Sequence, residues 1–68
     1  MKEDFGTRLK DLRLEKNLGQ VAFAKQIGVG KSIISAWETN KSEPTLSNLI
    51  KIANFFNTTI DYLAGLEK

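Results

Sequence analysis

No cysteine and no histidine occurs in these 68 residues, so neither a disulfide nor a Cys-based metal site can brace the fold, and the commonest neutral metal ligand and general base is missing. Apolar packing has to hold the chain by itself. A chain this short buries only about 60% of the surface its unfolded form exposes, and helices are the economical way to close a core at that size. Hydrophobic residues make up 41% and charged residues 26%, the balance of a soluble globular domain, and one Pro with five Gly speaks against disorder. The opening Met1-Lys2-Glu3-Asp4-Phe5 is charged, and no apolar run approaches the roughly 18 residues of a membrane span. Neither a signal peptide nor an anchor is read, and a cytoplasmic location is the default. The net charge of +2 permits a polyanionic partner without requiring one.

Hydrophobic spacing predicts five helices. Phe5, Leu9 and Leu12 fall at i, i+4 and i+7 among charged residues, which predicts an amphipathic helix over about 4–16. Asn17-Leu18-Gly19 offers the stop: Asn tolerates left-handed geometry, Gly accepts it freely, and Leu18 can fold back. Phe23, Ala24 and Ile27 share one face of a second helix that begins near Gln20 and is closed by Gly28 after two turns. Ile34 and Trp37 mark a third helix over about 31–38, followed by a loop from Thr39 to Pro44. Thr45 is the expected N-cap of a fourth, with Leu46, Leu49, Ile50, Ala53 and Phe56 as its apolar stripe and Asn57 as its stop. Thr59 caps a short last helix in which Ile60 and Leu63 face inward, Leu66 trails and Gly65 ends the helical pattern. With no strand signal, repeat or linker, the expectation is an all-α, compact five-helix bundle forming a single domain over residues 1–68.

The unit from Gln20 to Lys41 carries the functional information. Two short helices are separated by Gly28-Val29-Gly30; Ala24 is small where their axes cross, Gly28 can take the positive φ of a sharp turn, and Ile34 and Trp37 anchor the second helix. Lys31, Ser32, Ser35 and Ala36 then face outward, and being short or basic they let the helix lie close to another surface. A DNA major groove, about 12 Å wide, admits such a helix.

At these residues the chain resembles the Cro/CI-type, lambda-repressor-like helix-turn-helix family. The likeness rests on Gln20, Ala24, Gly28, Ile34 and Trp37-Glu38 at their mutual spacing, followed by Lys41 and Glu43-Pro44. It extends to Arg13, to the Leu46, Leu49, Ile50, Ala53 helix and to the Ile60-Asp61-Tyr62-Leu63 ending. It implies a transcriptional regulator that binds double-stranded DNA sequence-specifically, with helix 3 in the major groove and a homodimer on a palindromic operator. Gln20 is implied to bond a phosphate at the helix N-terminus. Lys31, Ser32 and Ala36 occupy base-reading positions, with Ser35 beside them, and Thr39, Asn40 and Lys41 match a loop that grips the backbone. Arg13 and Glu38 match a partly buried structural ion pair.

Three departures qualify the transfer. Gly19 and Gly30 stand where the family usually has a Ser or Thr N-cap, which weakens each helix start by about a few tenths of a kcal/mol and removes two hydroxyls. Ala36 replaces what is often a long polar reader and offers only apolar contact, for instance to a thymine methyl. Ile33 stands where a polar residue is commoner; it either meets a base methyl or packs beside Trp37.

Other features read more simply. Lys10, Lys16, Lys51 and Lys68 belong to solvated faces, and Phe5, Phe23, Phe56 and Trp37 belong to the core. Phe55, Tyr62 and Leu66 are candidate dimer contacts, with Phe55 open to the alternative of covering the bundle edge. Gly28-Val29-Gly30-Lys31-Ser32 is similar to the end of a phosphate-binding loop, but that motif needs a Gly where Lys25 stands and a preceding strand. Asp11 and Glu15, one turn apart, lack the cleft and further contributor of an active site. No enzyme activity, cofactor, metal or small-molecule substrate is read. The rival to DNA binding is a helical protein-interaction module, such as an antitoxin-like partner-binding protein, though an interface of that kind would favour aromatic and Arg anchors over Ser and Ala.

Overall fold

Local chemistry at the segment ends decides where each helix starts and stops in the computed structural model, which describes residues 5–66. Helix α1 runs Phe5–Glu15, α2 Gln20–Ile27, α3 Lys31–Glu38, α4 Leu46–Phe56 and α5 Ile60–Leu63. At its C-terminal end the first helix is a residue shorter than periodicity predicts, Lys16 belonging to the turn, and the expected start at Asp4 lies outside the described residues. Among the described residues there is no strand.

Asn17, at φ 57°, takes the left-handed position that ends α1, with Leu18 N–H donating to the Arg13 carbonyl and Asn17 N–H to that of Leu14. The paired bonds satisfy two carbonyls that the helix end leaves over. Gly19 is then released to serve as the extended N-cap of α2. Asn57 ends α4 in the same way at φ 54°, and Gly65 follows α5 at φ 78°. Thr45 and Thr59 cap α4 and α5, their side-chain oxygens accepting from Asn48 N–H at 3.2 Å and Tyr62 N–H at 3.0 Å.

Twelve apolar side chains form one core: Phe5, Leu9, Phe23, Ala24, Ile27, Ile34, Trp37, Leu49, Ile52, Ala53, Phe56 and Leu63. Leu12, Leu18, Val29, Phe55 and Ile60 pack on it while remaining partly covered. The fourth helix departs from expectation. Its buried face is Leu49, Ile52, Ala53 and Phe56, whereas Leu46 and Ile50 are 66% and 46% exposed. Two helical stripes overlap on this segment, sharing Leu49 and Ala53. The one through Ile52 faces Phe23 and the α5 side, and the other becomes the flank.

Helix α3 packs against both α1 and α2, α4 rests on α2 and α5, and α5 touches α1. The α1–α3 approach is set by Gly6. A Cβ there would sit 2.7 Å from the Glu38 carbonyl carbon and 2.8 Å from the Trp37 oxygen, closer than any side chain tolerates. Gly6 therefore brings the end of α3 onto the start of α1.

Candidate nucleic-acid interface

Gly28 supplies the corner of the two-helix unit, at φ 83° and ψ 32°. Its N–H and that of Val29 both donate to the Ala24 carbonyl, at 2.8 and 3.0 Å, so α2 ends sharply, Val29 turns onto the core and α3 begins after Gly30. Ala24 is 3% exposed and Ile27 equally covered, which places the inner face of α2 against α3.

Helix α3 is divided lengthwise. Ile34 and Trp37 are 0% and 2% exposed, while Lys31, Ser32 and Ile33 are exposed and Ser35 and Ala36 half-buried. Ile33, 41% exposed, is not drawn into the core with Trp37. Neither α2 nor α3 has an acidic residue in its first turn, and neither N-cap glycine offers a side-chain bond. The positive end of each helix dipole is consequently unopposed by any carboxylate of its own first turn.

Behind this face, Arg13 of α1 and Glu38 of α3 form a two-pronged ion pair, Nε to Oε2 at 2.6 Å and Nη2 to Oε1 at 3.0 Å. Only 8% and 4% of the two side chains remain exposed. The hydrogen bond to Glu38 raises the Arg13 pKa above its ordinary value, against the opposing effect of burial and with help from the carboxylate charge. Arg13 Nη1 also donates to the Leu18 carbonyl at 2.8 Å, so one guanidinium binds the α1–α2 corner as well as the end of α3. Gln20 joins the same cluster, its Nε2 donating to Glu38 Oε1 at 3.1 Å.

The expected phosphate-gripping loop is partly occupied by internal bonds. The Thr39 hydroxyl donates back to the Ser35 carbonyl at 2.9 Å. Asn40, in left-handed geometry at φ 59°, accepts the Gly6 N–H on its Oδ1 at 3.1 Å, satisfying an N–H that the first turn of α1 leaves over. Lys41 stands exposed beside them. The Gly6–Asn40 link was not read from the sequence; the only signal for it was a glycine inside an amphipathic helix, which usually marks a close packing contact.

Phe55 is half-buried, its ring 5.7 Å from that of Phe23 and 5.0 Å from that of Phe56. Lys16, expected only on a solvated face, sets its ammonium 5.3 Å from the Phe55 ring centre. Tyr62 is likewise half-buried under the Arg8 guanidinium at 4.8 Å, whereas Leu66 is 68% exposed. Lys10 and Lys51 are exposed, as are Asp11 and Glu15, and Lys68 lies outside the described residues. Among the described residues no three acidic side chains gather in a way that could hold a metal, and no helix is long and apolar enough to cross a membrane.

Comparison with known proteins matches this geometry. The helix-turn-helix family model covers residues 9–63. The transcriptional activator BcrR of Enterococcus faecalis is 40% identical over 65 residues, covering 96% of this chain and 32% of the relative. The cryptic phage CTXphi repressor RstR of Vibrio cholerae is 38% identical over 61 residues, covering 90% and 55% respectively. This chain therefore spans about a third of the first relative's length and just over half of the second's. The P22 c2 repressor, solved with a synthetic operator, superposes with a TM-score of 0.87 at 30% identity, covering 93% of this chain and 96% of its own.

Proposed function

The chain belongs to the helix-turn-helix family as a lambda-repressor-like member, and from that premise we propose that it binds double-stranded DNA sequence-specifically as a small transcriptional regulator. Helix α3 lies in the major groove. The reading rests above all on the lengthwise division of α3, with Ile34 and Trp37 sealed in the core and Lys31, Ser32 and Ile33 exposed. Buried anchors hold the helix rigid, and a basic, low face lets it approach base edges.

Each residue has a task in this arrangement. Lys31 and Ser32 bond base edges, Ile33 and Ala36 meet thymine methyls, and Ser35 lies at the margin of the contact. Gln20 presents a donor to a phosphate at the start of α2, where the helix dipole favours an anion. Lys41 supplies the cationic phosphate contact. Thr39 can join it only by releasing its bond to Ser35, and Asn40 contributes through its amide nitrogen, since its oxygen is held by Gly6.

The 68 residues act as a single DNA-binding domain, in the cytoplasm where the DNA is, and binding without covalent chemistry is the whole of the action. Two copies form a homodimer that sets paired α3 helices about 34–36 Å apart on a palindromic operator. Of the three candidate contacts, exposed Leu66 leads the interface and Tyr62 borders it, while Phe55 is largely taken up by its ring cluster.

Selection from a random duplex pool, followed by titration at several salt concentrations, tests the proposal. A two-fold symmetric site whose affinity falls steeply with salt is expected. A chain that shifts no duplex at low salt overturns it and favours a protein-binding module.

A further inference from the structure

Gln20 carries a bond that its phosphate task alone does not require. Its Nε2 donates to Glu38 Oε1, the oxygen that also accepts Arg13 Nη2. A carboxylate only accepts, so the amide oxygen of Gln20 cannot take this place without facing like charge. Glu38 thereby fixes which end of the carboxamide turns inward. The amide nitrogen carries a second hydrogen, and planarity directs it away from Glu38, at the N-terminus of α2 where Gly19 leaves the first backbone N–H groups without a side-chain cap.

We propose that Glu38 is a positioning residue for DNA binding, which holds the Gln20 carboxamide with a donor already aimed at a phosphate before DNA arrives. The proposal rests on the DNA-binding reading above. Arg13 makes it workable: its two-pronged bond neutralises a carboxylate that would otherwise repel a nearby phosphate. Immobilising a long, rotamer-rich side chain opposes association. In Gln20 the ordering is completed on folding, so binding loses less entropy. A buried ion pair that contributes little net stability thus has a second reason to be present.

Two measurements decide the matter. The first is nitrogen-15 NMR of the side-chain amides in the free, full chain, with exposed Gln26 as internal reference. The Gln20 amide is expected to be rigid on the nanosecond scale, with proton exchange slowed about tenfold relative to Gln26, in line with one hydrogen bond. An amide as mobile as that of Gln26 overturns the proposal. The second is a cycle on DNA affinity between Gln20→Ala and the paired replacement Arg13→Met/Glu38→Leu, chosen because removing both charges together avoids stranding either.

The paired replacement is expected to weaken duplex binding about three- to tenfold when Gln20 is present and not measurably when Gln20 is Ala. Equal losses in both backgrounds mean the pair acts only on the fold, and overturn the proposal while leaving DNA binding intact. An unaltered chain that binds no duplex overturns both. If the paired variant does not fold, the amide measurement on the unaltered protein stands as the deciding test.

Discussion

Arg13 and Glu38, 25 residues apart in sequence, meet through two parallel N–H···O contacts of 2.6 and 3.0 Å with 8% and 4% of their side chains exposed. This pair ties the last turn of the first helix to the end of the third. Truncating one member leaves the other buried and uncompensated, at a cost of about 3–5 kcal/mol. A chain of this size has in total roughly 3–10 kcal/mol of stability, so Glu38→Ala is expected to lose from about a third to all of it, as urea titration by circular dichroism would reveal. A loss under about 1 kcal/mol would show that water reaches the pair. Because the Arg13 pKa is raised in the fold, its contribution is fully present below the unfolded value and is lost only as pH rises through the folded one, in strong alkali.

Gly6→Ala is expected to cost about 1–3 kcal/mol by overpacking, since the added carbon meets backbone atoms of Trp37 and Glu38 that cannot rotate aside. Gly19→Ala makes a suitable comparison, because nothing lies within 4 Å of a Cβ at that position. Thermal unfolding of both variants reads the difference, and equal midpoints would mean that α1 and α3 can slide apart freely.

Gly19→Asp separates folding from binding. An aspartate at this extended N-cap, φ −77° and ψ 168°, accepts a backbone N–H of α2 and raises stability by a few tenths of a kcal/mol, roughly the Asp-over-Gly capping difference. The same charge occupies the end of α2 proposed for a phosphate. Duplex affinity should therefore fall while the unfolding midpoint rises, and Gly19→Ser should raise the midpoint without that loss. If Gly19→Asp binds DNA as tightly as the parent, the phosphate is not at α2.

Lys41 and Ser32 should respond differently to removal. Lys41→Ala is expected to weaken binding to all sequences alike and to lower the salt slope by about one ion, whereas Ser32→Ala alters preference at one base pair. Titrations against the selected site and its single-base variants distinguish them. A base preference that changes with Lys41→Ala would reverse the assignments.

Helix positions, caps and the glycine corner were legible because each depends on residues close in sequence. Asn17, Asn57 and Gly65 take left-handed geometry after their helices, and Thr45 and Thr59 accept the N–H three residues on, through chemistry confined to a single turn. The family pattern, read at Gln20, Ala24, Gly28, Ile34 and Trp37-Glu38, was legible for the same reason. It lies within 19 consecutive residues, Gln20 to Glu38.

Other choices needed the assembled chain. Periodicity allowed two overlapping stripes on α4, and contact with the rest of the core selected Ile52 over Leu46 and Ile50. Asn40 looked like a loop residue for a phosphate, and its bond to Gly6 spans 34 residues. Glu38 looked like one half of an ion pair and proved also to hold Gln20. Local spacing settles which backbone each segment adopts, because helix hydrogen bonds and caps reach only three or four residues. Which of several eligible side chains is buried, and which polar atom it meets, depends on surfaces brought together from distant parts of the chain, and only their packing in three dimensions could decide it.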